Sequence, residues 1–170
     1  MPVTSPTFAA GEELPASKLS FLVNKPAAQL YSAAAQSIPN SAFTALTFDS
    51  ERFDVFPTGG AKGHSTSVNP SRYTVVTPGV YRIGGRYTYA ANATGFRAAV
   101  IAVNGIQLPD TLAFGGTPTA SLTQHVATQG LVPLNLGDYV EILVEQTSGA
   151  PLNTDTANSA YSSMSVEWVR

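Results

Sequence analysis

Short runs in which apolar residues recur at every second position are found along most of this chain. The clearest run follows the turn Gly137-Asp138, where Val140, Ile142 and Val144 alternate with other residues. A period of two matches a β-strand, whose successive side chains point to opposite faces of a sheet. Turn residues separate the runs at short intervals. The pattern therefore predicts an all-β domain with a sandwich or jelly-roll architecture.

Two turn signals lie in the central part of the predicted sandwich. Pro78-Gly79 precedes a long β-rich run, and Asn104-Gly105 is a dipeptide typical of tight hairpins. Gly130 and Pro133 occur within a later run, which we therefore expect to form a broken strand. The segments predicted as strands are 43–48, 72–76, 80–89, 97–103, 126–134, 138–145 and 163–169.

The chain has few charges and no cysteine. Charged residues make up 12% of the 170 residues, which is about half the usual share, and the formal net charge is −2. No basic cluster is available to neutralise phosphates, so we expect no nucleic-acid partner. The absence of cysteine excludes disulfides and thiolate metal sites. No apolar run is long enough to predict membrane insertion.

Composition divides the chain into an N-terminal arm, residues 1–27, and a body, residues 28–170. The arm is rich in proline, and between Pro15 and Pro26 it has room for a short helix with Ser17 as the N-cap. One face of this helix is apolar. That face either packs on the body of the same chain or docks on another protein, and the sequence leaves both interpretations open.

The sequence offers few groups for catalysis or metal binding. Its two histidines, His64 and His125, lie in unlike segments, and no Gly-x-Ser-x-Gly motif is present. Asp49, Glu51 and Asp54 are near enough in sequence to be considered as calcium ligands, but they lack the glycine pattern of a calcium loop. We therefore predict that the protein is not an enzyme and that it has no cofactor, catalytic residue or metal site.

Three motifs and their order resemble one family of jelly rolls. The motifs are Phe43-x-x-Leu46-x-Phe48, Pro78-Gly79-x-Tyr81 and Leu134-x-Leu136-Gly137-Asp138-x-Val140, followed by a closing strand that reaches Trp168. They resemble the complement globular-head domains of the tumour-necrosis-factor-like superfamily. This resemblance implies a jelly roll of about ten antiparallel strands that assembles as a homotrimer.

The same resemblance implies apolar and aromatic residues at a three-fold axis. The aromatic residues that we predict for either the trimer axis or the core are Tyr81, Tyr87, Tyr89, Phe96, Tyr139 and Trp168. The sequence does not assign these residues individually to one place or the other.

A second resemblance concerns the arm. The stretch Phe8–Leu19 and its proline-containing lead into an all-β domain look like the N-terminal segments of small tail or head-surface proteins of bacteriophages. Residues 47–54 are similar to such proteins as well. In them the arm attaches to the particle and the jelly roll projects outward. The candidate anchor residues here are Phe8, Leu14, Leu19, Phe21 and Leu22.

These resemblances predict a virion structural protein, namely a trimeric capsid-decoration or minor tail protein at the virion surface. Its arm would bind the major capsid or tail proteins during assembly in the host cytoplasm. The alternative is a host-cell adhesin whose jelly-roll loops bind a receptor or surface glycan, with the loop from Asn153 to Tyr161 as the candidate. A bacterial extracellular module is a third hypothesis, and the lack of a secretory signal pattern at the start of the sequence counts against it.

Overall fold

The computed structural model describes residue 11 and residues 25–55, 62–116, 118–157 and 160–170. These residues form thirteen β-strands and a 3₁₀ helix, Pro109–Thr111. No helix in the described part is long and apolar enough to cross a membrane. The strands are β1 (Ala27–Tyr31), β2 (Ser37–Ile38), β3 (Thr44–Ala45), β4 (Ser50–Val55), β5 (Tyr73–Thr74), β6 (Gly79–Tyr89), β7 (Arg97–Val103), β8 (Ile106–Gln107), β9 (Ala113–Phe114), β10 (Gln124–Leu134), β11 (Tyr139–Gln146), β12 (Leu152–Asn153) and β13 (Ser163–Trp168).

The longest strand pairings build a five-stranded antiparallel sheet, called sheet I here, in the order β10-β6-β13-β1-β4. Strands β6 and β10 pair along their whole length, from Gly79 opposite Leu134 to Tyr89 opposite Gln124. The C-terminal strand β13 lies between β6 and β1, so the end of the chain is tied into the middle of the sheet. Strands β10 and β4 are the two edges of sheet I.

A six-stranded sheet, called sheet II here, forms the second layer of the sandwich. Strands β7 and β11 are at its centre and pair from Val103 opposite Val140 to Arg97 opposite Gln146. The short strands β3 and β5 pair with the free side of β11, and β8 and β9 pair with the free side of β7. Strands β2 and β12 form a separate two-stranded ribbon. This two-layer antiparallel arrangement confirms the predicted all-β sandwich.

Alternation along the strands places one row of side chains between the two sheets. On β6, Tyr81, Ile83 and Tyr87 point inward and are fully buried. Gly85 belongs to the same inward row, and a Cβ at this position would lie 2.6 Å from Cδ1 of Ile142 in sheet II. The missing side chain therefore lets the two sheets approach. Burial of such apolar surface, at roughly 25 cal/mol per Å², is the main free-energy term that holds the layers together.

Strand β10 is unbroken, contrary to the sequence prediction. It runs from Gln124 to Leu134 although it contains Gly130 and Pro133. An edge strand tolerates proline because it need not donate every ladder hydrogen bond. The glycine is required by packing, since a Cβ on Gly130 would lie 2.9 Å from Cγ2 of Thr111. The edge position of β10 thus explains Pro133, and the close contact with Thr111 explains Gly130.

The segment predicted as a strand over residues 43–48 forms only the two-residue β3. The backbone N–H of Leu46 still donates to Ile142 in sheet II, but that of Phe48 donates to Pro70 in a loop. The segment therefore leaves the sheet after Leu46. Both Leu46 and Phe48 are fully buried, so their spacing reflects burial in the core rather than a longer strand.

Asp138 joins two turns at one end of sheet II. Its carboxylate accepts hydrogen bonds from the side-chain amide of Asn104 at 2.9 Å and from the backbone N–H of Asn135 at 2.7 Å. Asn104 occupies the β7–β8 turn at φ 52°, and its side-chain carbonyl accepts from the N–H of Tyr139 at 3.0 Å. The hydrogen bond from Asn104, followed by that from Asn135, holds the pKa of Asp138 below its ordinary value of 3.8.

We predict that Asp138→Asn lowers the free energy of unfolding by about 1 kcal/mol at pH 7, because hydrogen bonds to a charged acceptor are lost. Since the folded-state pKa is depressed, the wild-type advantage is present above pH 3.8 and disappears as the pH falls through the folded-state pKa. Urea denaturation of both proteins at pH 7 and at successively lower pH checks this. A difference in unfolding free energy that does not change with pH would contradict the assignment.

Candidate assembly surface

The outer face of sheet I, which points away from the core, has several short side chains around Arg86 at its centre. Gly84 and Arg86 on β6 lie opposite Ser165 and Ser163 on β13, and Ala127 on β10 lies opposite Arg86 on its other side. A groove of about 270 Å³ passes over these residues. Because the side chains are short, another protein surface can approach the backbone of this sheet closely.

Apolar side chains are exposed at both margins of this face. At the β4 margin Phe53 is 47% exposed and Val55 is 51% exposed, and at the β10 margin Leu131 is 64% exposed. A chain with few charges has little polar surface, so these residues alone are not unusual. Their position on both sides of a polar centre makes the outer face of sheet I a candidate protein-binding surface.

A cleft of about 280 Å³ lies where the β10 edge meets sheet II. Val103 and Leu108 line one wall, and Leu131 and Pro133 line the other. Asp110, in the 3₁₀ helix, adds a carboxylate to this otherwise largely apolar lining. The β10 edge therefore offers a second surface, apolar and acidic, whose shape and chemistry differ from those of the outer face of sheet I.

The predicted axis-or-core aromatic residues fall into two groups. Phe96 and Tyr139 lie on the outer face of sheet II, where the Arg72 guanidinium is 4.0 Å from the ring centroid of Tyr139. The other four are buried between the sheets, namely Tyr81, Tyr87, Tyr89 and Trp168. None of the six side chains points from the outer face of sheet I. A place for any of them on a three-fold axis stays a prediction.

The candidate anchor residues of the arm lie outside the described residues, namely Phe8, Leu14, Leu19, Phe21 and Leu22. The continuous described chain begins at Lys25, whose Nζ is 5.4 Å from the ring centroid of Trp168. The carbonyl of Pro26 accepts a hydrogen bond from the N–H of Trp168 at 2.9 Å, and Ala27 begins β1. Residues 25–27, which composition assigned to the arm, thus pack as part of the sandwich.

The acidic residues considered as calcium ligands have protein partners. The Asp49 carboxylate accepts two backbone N–H groups from the turn after β1, at 2.7 and 2.8 Å. Burial raises the pKa of Asp49, but these hydrogen bonds outweigh it and leave the pKa below the ordinary value. Glu51 and Asp54 both face His64 instead of a shared cavity. Within the described ranges, no group of three or more acidic or histidine side chains is arranged to hold a metal ion.

His64 is buried against the β4 edge of sheet I. Its Nδ1 lies 2.9 Å from Oε1 of Glu51, and its Nε2 lies 3.2 Å from the carbonyl oxygen of Pro70. Both partner atoms are acceptors, and each ring nitrogen of His64 lies within hydrogen-bond distance of one of them. Lys62 donates to the second oxygen of Glu51 at 2.7 Å. Burial raises the pKa of Glu51, but the hydrogen bonds from Lys62 and His64 outweigh it and lower the pKa overall.

The two histidines do not form a catalytic site together. His125 is exposed on β10, and His64 lies near β4, which is the opposite edge of sheet I. Across the part of the chain that the structure describes, neither histidine ring is hydrogen-bonded to a serine hydroxyl. The Glu51–His64 pair instead fastens the loop after β4 to the edge strand, which is a structural role.

A buried cation that sequence analysis did not identify organises one end of the sandwich. Arg97 is fully buried, and its guanidinium donates to the carbonyls of Asn92, Thr94 and Phe96 at 3.3, 2.9 and 2.9 Å. The same group is 4.9 Å from the ring centroid of Tyr89. Arg97 therefore fixes the β6–β7 loop on the core. No local sequence signal separates this arginine from an exposed one at the start of a strand.

The fixed loop presents a pair of aromatic rings. Phe96 and Phe114 pack edge to face with their centroids 5.6 Å apart, and Phe114 is 64% exposed. They belong to sheet II, so they lie away from the outer face of sheet I. The sequence placed Phe96 at the axis or in the core, and it gave no role to Phe114.

The loop from Asn153 to Tyr161 is tied to the body where the structure describes it. The hydroxyl of Thr154 accepts from the N–H of Gln36 at 2.8 Å, and the carboxylate of Asp155 accepts from the hydroxyl of Thr123. The ring of Tyr161 lies 5.1 Å from that of Tyr31. Residues 158 and 159 of this loop are outside the described residues.

Comparison with known proteins identifies the fold. No protein-family model matches the sequence, and no curated protein matches it closely enough to count as a relative. Among solved structures, murine APRIL at pH 5.0 has a TM-score of 0.60 and 11% identity, and the match covers 85% of this chain and 99% of that one. The globular domain of zebrafish complement 1qA has a TM-score of 0.59 and 15% identity, with 86% and 98% covered. The fold is therefore the jelly roll of tumour-necrosis-factor-like and complement globular-head domains, as the sequence motifs predict.

We predict that His64→Gln lowers the free energy of unfolding by about 2 kcal/mol or more, because the glutamine amide does not reproduce the positions of the two ring nitrogens that contact Glu51 and Pro70 in this buried site. Lys62→Met is the matched control: it removes the exposed partner of the same carboxylate and should change stability little. Urea denaturation at neutral pH measures both. Equal effects of the two substitutions would show that the buried histidine is not the main contact.

Proposed function

We propose that this chain is a non-enzymatic structural module that assembles as a homotrimer. The observation that carries the proposal is the presence of two unlike surfaces on one sandwich, the polar groove on the outer face of sheet I and the largely apolar cleft at the β10 edge. Two different patches that bind each other make a head-to-tail contact, and such contacts form a closed ring when the rotation permits. The resemblance to complement globular-head and tumour-necrosis-factor-like jelly rolls supports a ring of three.

We further propose that the trimer belongs to the surface of a bacteriophage particle, as a capsid-decoration or minor tail protein. The support is the resemblance of the arm and the low share of charged residues, 12%, which suits a subunit packed among others. In this arrangement the arms of three chains attach to major capsid or tail proteins together. Weak contacts of each arm then give stable attachment through multivalency.

The trimer is tested by the mass of the purified protein, measured by light scattering after size exclusion. We expect one species near three times the chain mass of 17.7 kDa over a range of concentrations. A monomer at every concentration would overturn the proposed assembly, and the jelly-roll fold would then stand without it.

The attachment role is tested by removing residues 1–24. This boundary keeps Lys25 and Pro26, which contact Trp168, so the sandwich should remain intact. We expect the truncated protein to stay trimeric and to be absent from purified particles, whereas full-length Phe114→Ser should still be incorporated. Incorporation of the truncated protein at the wild-type level would contradict an anchoring role for the arm.

The adhesin alternative is favoured by the Phe96–Phe114 pair. Its exposed ring surface lies away from the outer face of sheet I, so it would remain accessible in the proposed ring and could contact a host receptor. To distinguish attachment to the particle from host-cell adhesion, cells are incubated with the full-length protein, the truncated protein and Phe114→Ser. Binding that survives removal of the arm and is lost in Phe114→Ser would favour the adhesin.

A further inference from the structure

Among the described arginines, Arg86 is the only one that combines a buried guanidinium nitrogen with the lack of any hydrogen bond or salt bridge. It lines the groove on the outer face of sheet I, and its Nε is buried without a partner. The neighbouring Arg82, on the same strand, pairs with Glu167 at 3.1 Å. A half-buried guanidinium without an acceptor is costly, and covering this face with another protein would increase that cost unless an acceptor came with it.

The described side-chain carboxylates are almost all engaged within the chain. Those with partners are Asp49, Glu51, Asp54, Asp138, Glu141, Asp155 and Glu167. In the described ranges, this leaves Asp110 and Glu145 without a hydrogen bond or ion pair. Each is therefore a candidate acceptor for Arg86 of another copy.

Position distinguishes the two acids. Glu145 lies on β11 opposite Ala98, and its side chain belongs to the outer face of sheet II, on the far side of the sandwich from Arg86. Asp110 lies in the cleft at the β10 edge, beside the exposed side chain of Leu131. When the β10 edge of one copy packs on the next copy, only Asp110 therefore lies on the surface that contacts the outer face of sheet I of that neighbour.

We propose that Asp110 of one copy forms an ion pair with Arg86 of the next copy around the ring. This inference rests on the proposed trimer and names the partner surfaces within it: the β10 edge of one sandwich on the outer face of sheet I of its neighbour. Leu131 and the cleft supply apolar area, and the small residues around Arg86 allow close approach. The ion pair supplies an acceptor for the Arg86 guanidinium, whose buried Nε has no partner within its own chain.

A charge-swap experiment tests the pair. The variants are Arg86→Glu, Asp110→Arg and the double variant that carries both, and dissociation of the trimer is measured by sedimentation equilibrium over a dilution series. We expect each single substitution to raise the dissociation concentration by about tenfold or more, because it places like charges together at the interface. The double variant restores the pair in reverse and should return to within about threefold of wild type.

Glu145→Arg is the matched control, since it reverses an equally unpaired acid on the other face and should leave dissociation unchanged. Thermal unfolding of each variant verifies that the sandwich is intact, as expected for surface side chains. Single variants that dissociate like wild type, or a double variant no tighter than the weaker single one, would overturn the inference while leaving the trimer in place. A monomeric wild type would overturn the proposed function and this pair together.

Discussion

Strand β6 carries both the core and the proposed assembly face, and the alternation of its side chains couples the two. Tyr81, Ile83 and Tyr87 point into the sandwich, whereas Gly84 and Arg86 point outward. A register shift of one residue would exchange these rows, burying a guanidinium and exposing aromatic rings. The core packing therefore fixes the surface chemistry. The residues available for assembly are those whose side chains point away from the core. This explains why the side chains at the centre of the outer face of sheet I are mostly small and polar.

The sandwich holds its loops with a few polar contacts rather than with many surface ion pairs. Arg97 fixes the loop before β7, Asp138 joins the turns at the other end of that strand, and His64 with Glu51 fastens the chain after β4. The contacts of Arg97 and His64 satisfy side chains that burial would otherwise leave without partners, whereas those of Asp138 lie at the surface. A rigid outline follows from these contacts, and rigid edges are what a subunit needs to repeat the same contact in every copy.

The sequence predicts the fold well where a strand has one face in the core, as in the alternation after Asp138. It predicts strand ends poorly, because the limits of β3 and β10 depend on neighbours that are distant in sequence. Gly130 and Pro133 suggest a break, yet an edge position and contact with Thr111 make both compatible with a continuous strand. The candidate surface was less predictable still. Phe96 and Tyr139 look like core aromatics in sequence, but Phe96 packs on the exposed ring of Phe114 and Tyr139 packs under the guanidinium of Arg72.

The scarcity of charge gives an unpaired ion more weight here than it would have in an ordinary protein. Apolar contact between the β10 edge and the outer face of sheet I supplies affinity, but a face with many small side chains permits several registers of similar area. One ion pair discriminates among them, because a displaced register leaves both charges desolvated without partners. A head-to-tail contact suits this pair in particular, since Arg86 and Asp110 lie on different surfaces of one copy and are not paired within it. Two residues of opposite charge that lie on different surfaces of one copy therefore favour a closed ring of several copies over an isolated chain.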